Sequence, residues 1–171
     1  LPGAPTQVAG IPGNGVVSLT WTPGGDGGAP ITGARITPYL DGVAQPTVSA
    51  DAPQQPYPVK GLTNGKAYTF AVSLVNERGA GAAGLTSNPI TPQGPPLAPN
   101  APSAVPGNGT ATVSWSEPGN EGSSITGYVV IPASASGTLP AITVGASPLS
   151  AVVTGLENGP AYTFTVAAKN A

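Results

Sequence analysis

The chain has 171 residues, including 25 glycines and 22 prolines, and it contains no cysteine and no histidine. Without these two residue types it has no disulfide, no thiolate metal site, and neither the commonest general base nor the commonest zinc ligand. Five basic and seven acidic residues give a net charge of −2, which excludes the dense positive patch that nucleic-acid binding needs. No run of about 18 apolar residues occurs, so we expect no transmembrane helix.

Short runs of Val, Ile, Leu and Thr alternate with Gly/Pro clusters along the chain, and no segment has helical periodicity. One strand is predicted up to Trp21, followed by a Gly/Pro-rich loop at 23–30, a second strand around Ile36 and a third from Tyr68 onward. The residues predicted to face the core are Val17, Leu19, Trp21, Ala34, Ile36, Tyr68, Phe70, Val72 and Leu74. Their alternation with polar residues predicts strands that bury one face. Leu85–Thr91 is predicted to be the last strand of this part.

The same landmarks recur at a constant offset of 94 residues, so that Trp21 recurs as Trp115 and Ala67-Tyr68-Thr69-Phe70 as Ala161-Tyr162-Thr163-Phe164. A constant offset means that no net insertion separates the landmarks, and its length suits a complete small domain. The sequence therefore predicts two copies of one domain, at residues 1–94 and 95–171, joined by a proline-rich segment. The inward residues predicted for the second copy are Ala111, Val113, Trp115, Tyr128, Val130, Tyr162, Phe164, Val166 and Ala168.

Two features resemble the fibronectin type III family. One is the single Trp that closes an early strand. The other is the stretch Gly61–Tyr68, which recurs as Gly155–Tyr162 and looks like the tyrosine corner of these sandwiches. The resemblance implies an all-β fold of two tandem immunoglobulin-like (fibronectin type III) β-sandwiches. It also implies that the Tyr hydroxyl bonds to upstream backbone, that the Leu fills the core, and that Asn-Gly supplies a positive φ.

The best-known binding site of the animal family is an Arg-Gly-Asp tripeptide in the last hairpin loop. The predicted loop 76–81 of this chain has Arg78-Gly79-Ala80 at that place, without the carboxylate. The resemblance therefore does not carry over an integrin-binding role, and the loop is interpreted as a glycine-rich turn.

Candidates for catalysis are few. The lysines Lys60, Lys66 and Lys169 lie at predicted turns or strand ends, outside any apolar pocket that would lower a lysine pKa. Glu117 and Glu121 share one exposed loop, and the first copy has no matching pair. We therefore predict that the chain is not an enzyme, with no catalytic residue and no cofactor.

Candidates for metal and glycan binding are equally sparse. Asp26, or Glu117 with Glu121, would supply at most two carboxylates to a calcium ion that prefers six to eight oxygens, so no metal site is predicted. Only Tyr39 and Tyr57 remain outside the core pattern as aromatic platforms, which leaves a weak glycan contact as an open alternative.

The second copy stops before its last predicted strand. The counterpart of Leu85–Thr91 would end near residue 185 (91 + 94), whereas the chain ends at Ala171. We therefore expect the strand from Tyr162 to Ala168 to have an open edge. Either the parent protein continues, or a neighbouring subunit donates a strand; Leu1–Pro5, with two prolines, would be a poor donor.

These features favour a non-catalytic spacer or adhesion module pair in a larger surface, secreted or virion protein. Lack of Cys, Met and His fits a bacterial-type extracellular location. Expected partners are neighbouring domains or other protein subunits. Two alternatives stay open: a structural subunit of a filament or shell assembled by strand donation, and an accessory module of a polysaccharide-degrading enzyme.

Overall fold

The computed structural model describes residues 1–51, 54–85 and 88–171, and the chain divides into two compact units, Leu1–Gly94 and Pro95–Ala171. All regular structure in these residues is antiparallel β. The described residues form no helix long and apolar enough to cross a membrane. The predicted all-β class is confirmed.

The first unit packs two sheets against each other. Its strands are β1 (Thr6–Gly13), β2 (Val16–Thr22), β3 (Ile31–Leu40), β4 (Val43–Ala44), β5 (Val48–Asp51), β6 (Tyr57–Lys60), β7 (Tyr68–Asn76) and β8 (Gly79–Leu85). One sheet has the order β1–β2–β6; the other has the order β4–β3–β7–β8, with β5 also paired to β3. Residues from both sheets meet in one core cluster. The unit is therefore a β-sandwich.

Side-chain alternation places the core of this sandwich where the sequence predicts it. All nine inward residues predicted for the first copy are at most 6% exposed. In register, Ile36 of β3 faces Val72 of β7, and Leu19 of β2 faces Tyr57 of β6. Because successive side chains of a strand point to opposite faces, this register puts every second residue into the core.

The second unit repeats the arrangement with one strand fewer. Its strands are β9 (Ser103–Gly107), β10 (Thr110–Ser114), β11 (Ile125–Ser134), β12 (Gly137–Thr138), β13 (Ile142–Gly145), β14 (Ser150–Thr154) and β15 (Thr163–Asn170). The sheets have the orders β14–β10–β9 and β12–β11–β13, with β15 also paired to β11. Six of the nine predicted inward residues are buried, whereas Tyr162, Phe164 and Ala168 are half-buried.

The last strand of the first unit differs from the prediction. It is β8, Gly79–Leu85, rather than Leu85–Thr91, and Ile90 makes only an isolated bridge to Tyr68. Part of the predicted segment, Thr86 and Ser87, lies outside the described residues. The run of Gly and Ala in β8 hid the strand, because small residues have low β propensity.

The small residues of β8 allow the N-terminal segment of the chain to pack closely against this strand. A Cβ at Gly81 would collide with the carbonyl oxygen of Pro2, and one at Gly84 with that of Pro5. The N-terminal segment Leu1–Pro5 therefore lies directly against β8 of its own unit, with Pro2 and Pro5 buried.

The expected open edge of the second unit is present. Among the described residues β15 pairs with β11 alone, whereas its counterpart β7 pairs with both β3 and β8. The N–H and C=O groups on the second edge of β15 thus face outward.

Candidate functional site

The tyrosine corner has the geometry that the resemblance implies. The hydroxyl of Tyr68 accepts a hydrogen bond from the N–H of Thr63 at 3.1 Å, and that of Tyr162 accepts one from Glu157 at 3.0 Å. The following turn needs a left-handed residue, and Gly65 and its counterpart Gly159 supply it with φ of 75° and 108°.

An asparagine at each corner also holds the neighbouring hairpin turn, a contact that the sequence motif did not indicate. The side-chain oxygen of Asn64 accepts from Gly15 N at 2.8 Å, and its nitrogen donates to Asn14 Oδ1 at 2.8 Å. Asn158 makes the same two bonds to Gly109 and Asn108, at 2.9 and 2.7 Å. These bonds join the corner to the β1–β2 turn and to the β9–β10 turn, respectively.

A second asparagine holds the loop between the early strands of each unit. Asn76 is 3% exposed, and its Nδ2 donates to Asp26 O at 2.7 Å and to Ala29 O at 3.3 Å. Asn170 donates to the corresponding carbonyl oxygens of Asn120 and Ser123 at 3.2 and 3.5 Å. The sequence did not point to this pair, although recurrence at the offset of 94 was the signal that could have found it.

Asp26, one of the residues weighed as a calcium ligand, bonds to its own local turn. Asp26 Oδ1 accepts from Gly28 N at 2.8 Å, and the amide oxygen of Asn120 does the same with Gly122 N at 3.1 Å. Because a neutral amide fills the same place, the turn does not depend on the charge of the carboxylate. Within the described residues no three His, Cys, Asp or Glu side chains group as they would around a metal ion.

The other candidates lie apart or on the surface. The three lysines are exposed, and Glu117 and Glu121 share the loop between β10 and β11. Tyr57, in β6, packs against the core, while Tyr39 lies in β3 of the other sheet. The two tyrosines therefore do not combine into one aromatic platform.

A groove distinguishes the second unit from the first. A cavity of about 340 Å³ lies between β9, the start of β10 and the tyrosine corner. Ala104, Ala111, Leu156, Tyr162 and Phe164 provide apolar walls, and Glu157 is the charged residue that lines it. We refer to this cavity as the corner groove.

The chain itself fills the corresponding place in the first unit with the segment Ile90–Gln93. The backbone bonds that hold it are Tyr68 N to Ile90 O (2.9 Å), Ile90 N to Tyr68 O (2.8 Å), Gly65 N to Pro92 O (2.9 Å) and Gln93 N to Gly13 O (3.1 Å). Pro92 is fully buried. Among the described residues no segment takes this place in the second unit.

The duplicated corner and core agree with a comparison against known families. The fibronectin type III domain matches twice, at residues 3–93 and 95–171. The chain belongs to the fibronectin type III family.

A solved structure of the family shows the same fold. The chain is similar to the crystal structure of chicken CNTN1 FN1-FN3 domains, with 20% identity and a TM-score of 0.50, over 99% of this chain and 62% of that chain. It thus spans less than two thirds of that structure. It is also similar to the two fibronectin type III domain segment from chicken tenascin, with 18% identity and a TM-score of 0.49, over 98% of this chain and 91% of that chain.

The last hairpin loop of the first fibronectin type III unit is shorter than predicted, because β7 ends at Asn76 and β8 begins at Gly79. Arg78 N donates to Asn76 Oδ1 at 2.9 Å, and the Arg78 guanidinium donates to Gly27 O at 3.3 Å. Arg78 therefore contacts the β2–β3 loop of its own unit.

The core of the second fibronectin type III unit contains a polar pair without partners. Trp115 Nε1 and the Tyr128 hydroxyl are buried, with ring centroids 5.1 Å apart, but they do not reach hydrogen-bond geometry with each other or with any other described residue. Burial raises the pKa of Tyr128, and the charge of Glu117 raises it further. At neutral pH the hydroxyl is protonated.

Proposed function

We propose that this tandem fibronectin type III chain is a non-catalytic spacer or adhesion module pair of a larger extracellular protein. The observation that carries the proposal is that the polar side chains recurring at the offset of 94 residues make hydrogen bonds inside their own unit. Asn64, Asn76, Tyr68 and their counterparts all bond to backbone groups or, at the corners, to Asn14 or Asn108 of their own unit. They hold loops in place, and such side chains serve a rigid frame rather than a reaction.

Two further observations support the proposal. The chain is poor in charge, with 12 charged residues among 171, and it lacks cysteine, so its stability would depend little on salt or redox state. The partners of such a module would be neighbouring domains of the same polypeptide or other protein subunits.

A pulling experiment tests the spacer role. With the chain held by its two ends, we expect two separate unfolding events, and a gain in contour length on the order of 300 Å for the 94-residue first unit. A unit that bears load must resist until its strands separate. If the chain lengthens smoothly, with no resolved force peak, the spacer role is wrong.

Assembly through strand donation is the second candidate, in which β15 would pair with a strand from another subunit. Sedimentation separates the two: assembly requires association that rises with concentration, and a spacer stays monomeric. An accessory role in polysaccharide degradation has less support, because Tyr57 packs against the core.

A further inference from the structure

The outer edge of β14, in the second unit, presents unpaired backbone groups. Among the described residues β14 pairs with β10 alone, so one of its two edges has no neighbouring strand. This edge belongs to the sheet β14–β10–β9, whereas β15 belongs to the other sheet of the unit. A strand that paired with β15 would extend that other sheet and would leave the edge of β14 as it is.

The register shows which residues of β14 direct their backbone groups outward. Trp115 N donates to Leu149 O at 3.1 Å, so these two residues form a hydrogen-bonded pair directly beside the β10–β14 ladder. Hydrogen-bonded and non-hydrogen-bonded pairs alternate along an antiparallel ladder. The alternate residues Ser150, Val152 and Thr154 therefore direct their N–H and C=O groups away from β10.

The equivalent edge of the first unit, on β6, is closed at the same three positions. The counterparts at the offset of 94 residues are Pro56, Pro58 and Lys60. A proline has no N–H to donate, and a lysine on an edge strand disfavours pairing with another chain. The serine, valine and threonine of the second unit keep their N–H groups and carry no charge.

The strands around this edge are also uncharged in the second unit alone. Residues 122–156, which include β11 to β14, contain no charged side chain. The equivalent residues 28–62 of the first unit contain Arg35, Asp41, Asp51 and Lys60. When two identical edges approach each other, any charge on them meets a like charge. The uncharged edge therefore suits a second copy of itself, and it offers no attraction to a charged partner.

The strand β14 matches itself when two copies run antiparallel about a two-fold axis at Val152. Val152 then lies opposite Val152 of the second copy, and Ser150 lies opposite Thr154. The outward-facing residues meet as hydrogen-bonded pairs, each of which exchanges two backbone bonds. The Val152 side chain is 58% exposed in the single chain, and in the pair the two valines cover each other.

We propose that the second unit pairs edge to edge with a second copy of this chain through β14, in antiparallel register centred on Val152. The two sheets β9–β10–β14 then join into one continuous sheet of six strands. This inference goes beyond the spacer role and does not depend on it.

Pairing of one short strand with another is a weak contact. It buries less than the ~1,200 Å² of a stable complex, so we expect a dissociation constant on the order of 1 mM. At the ~20 μM of a sedimentation run the free chain therefore stays mostly monomeric. Pairing becomes extensive where copies are held close together, at effective concentrations of about 1 mM or more.

Amide resonances of the isotope-labelled full chain test the proposal over chain concentrations from ~0.05 to ~3 mM. We expect concentration-dependent shifts at Ser150, Val152 and Thr154, and no shift at Lys60 on the closed edge of the first unit. In a mixture of labelled and unlabelled chain, we expect nuclear Overhauser contacts between the Val152 methyl groups of different molecules.

Opposite charges at Val152 identify the second copy as the occupant. Val152→Lys and Val152→Glu each place like charges opposite each other at the axis, so either variant alone should pair about fivefold more weakly. An equal mixture of the two should recover the pairing of the unaltered chain, and added salt should reduce both effects. Val105→Lys, at an exposed position of the far edge strand β9, is the matched control and should leave pairing unchanged.

The first unit supplies a second variant, because Val152→Pro copies Pro58. It removes one outward N–H without the loss of a bond to β10, so we expect no concentration-dependent shifts up to ~3 mM. Urea unfolding followed by Trp115 fluorescence shows whether the second unit of this variant is folded. If it is not, the mixture of the Lys and Glu variants decides.

Four results would overturn the proposal. They are the absence of shifts at the β14 amides at ~3 mM chain, pairing of the Lys and Glu mixture no tighter than that of either variant alone, a folded Val152→Pro variant that still pairs, and shifts at β15 in place of β14. The last result would assign the association to the edge of β15. The pulling experiment on single chains reports on the spacer role separately.

Discussion

Asparagine side chains hold the loops of both units, and their roles were not equally visible in the sequence. The corner Asn64 lies in a recurring motif, so its place in a turn could be predicted. Asn76 lies at a strand end, where an asparagine resembles an ordinary turn residue. Its real role is to reach the carbonyl groups of Asp26 and Ala29 about 50 residues earlier in the chain. A contact of that separation leaves no local pattern.

Replacement of Asn76 tests this role. Asn76→Ala removes two donated bonds and the acceptor for Arg78 N from a buried place, so we expect the free energy of unfolding of the first unit to fall by about 2–3 kcal/mol. Urea unfolding followed by Trp21 fluorescence, in a Trp115→Phe background, measures it. Asn170→Ala, at a half-buried counterpart, lowers the stability of the second unit less, as Trp115 reports in a Trp21→Phe background. Equal losses of unfolding free energy in the two variants would show that the burial of Asn76 does not add to its contribution.

Because the hydroxyl of Tyr128 has no hydrogen-bond partner among the described residues, we expect its removal to stabilise the second unit. Tyr128→Phe keeps the ring and removes a buried polar group without a partner, so we expect the second unit to gain about 1 kcal/mol. Urea unfolding at pH 7 measures it. The counterpart in the first unit is Ala34, which carries no such hydroxyl.

The same substitution has a signature in pH dependence. The pKa of Tyr128 is raised in the folded chain, so above pH about 10 the folded state holds a proton that the unfolded chain releases. Stability from this group is therefore complete below pH about 10 and is lost as the pH rises through the folded pKa. Tyr128→Phe should reduce the fall in unfolding free energy at alkaline pH. If the fall is unchanged in the variant, other groups cause it.

At the scale of strands, alternation predicted the central elements and missed the edges. β2, β3 and β7 carry regular apolar alternation, and their buried faces are confirmed. β8 consists almost entirely of Gly and Ala, which have neither β propensity nor a hydrophobic face. Its place is set by the N-terminal segment that packs against it, and a local pattern cannot contain that information.

A pair of substitutions in β8 tests the close packing. Gly81→Val drives a side chain into the carbonyl oxygen of Pro2, and we expect a loss of about 2–3 kcal/mol in the stability of the first unit. Ala82→Val, on the exposed face of the same strand, should change stability by less than about 0.5 kcal/mol. Thermal unfolding of both variants measures the difference. A tolerated Gly81→Val would mean that Leu1–Pro5 does not lie against β8 in solution.

For the whole chain, the constant offset of 94 residues predicted the duplication, and the Trp and tyrosine-corner motifs predicted the family. What the offset could not predict is that equivalent residues have unequal surroundings. Phe70 is fully buried, and its counterpart Phe164 is half-buried beside an unfilled groove. The corner groove could be found only by comparing the two folded units, since its apolar walls look like core residues in the sequence.

The different surroundings of β7 and β15 predict different local stability of these two equivalent strands. We expect amides of β15 to exchange with solvent faster than amides of β7, because β15 has one neighbouring strand among the described residues, where β7 has two, and its Phe164 is only half-buried. Native-state hydrogen exchange measured by NMR on the full chain provides the comparison. Equal protection of the amides in both strands would show that the open edge and the groove lower the stability of the second unit very little.

The hydrogen bond from Gly65 N to Pro92 O also predicts which of the two corner asparagines deamidates first. Asparagine before glycine deamidates when the glycine nitrogen attacks the side-chain amide. In the first unit that nitrogen is held by Pro92 O, whereas no described residue holds Gly159 N in this way. Asn158 should therefore convert to aspartate before Asn64 on long storage. Each conversion would remove the amide donor that joins the corner to Asn108 or Asn14, so the second unit would be the first to loosen with time.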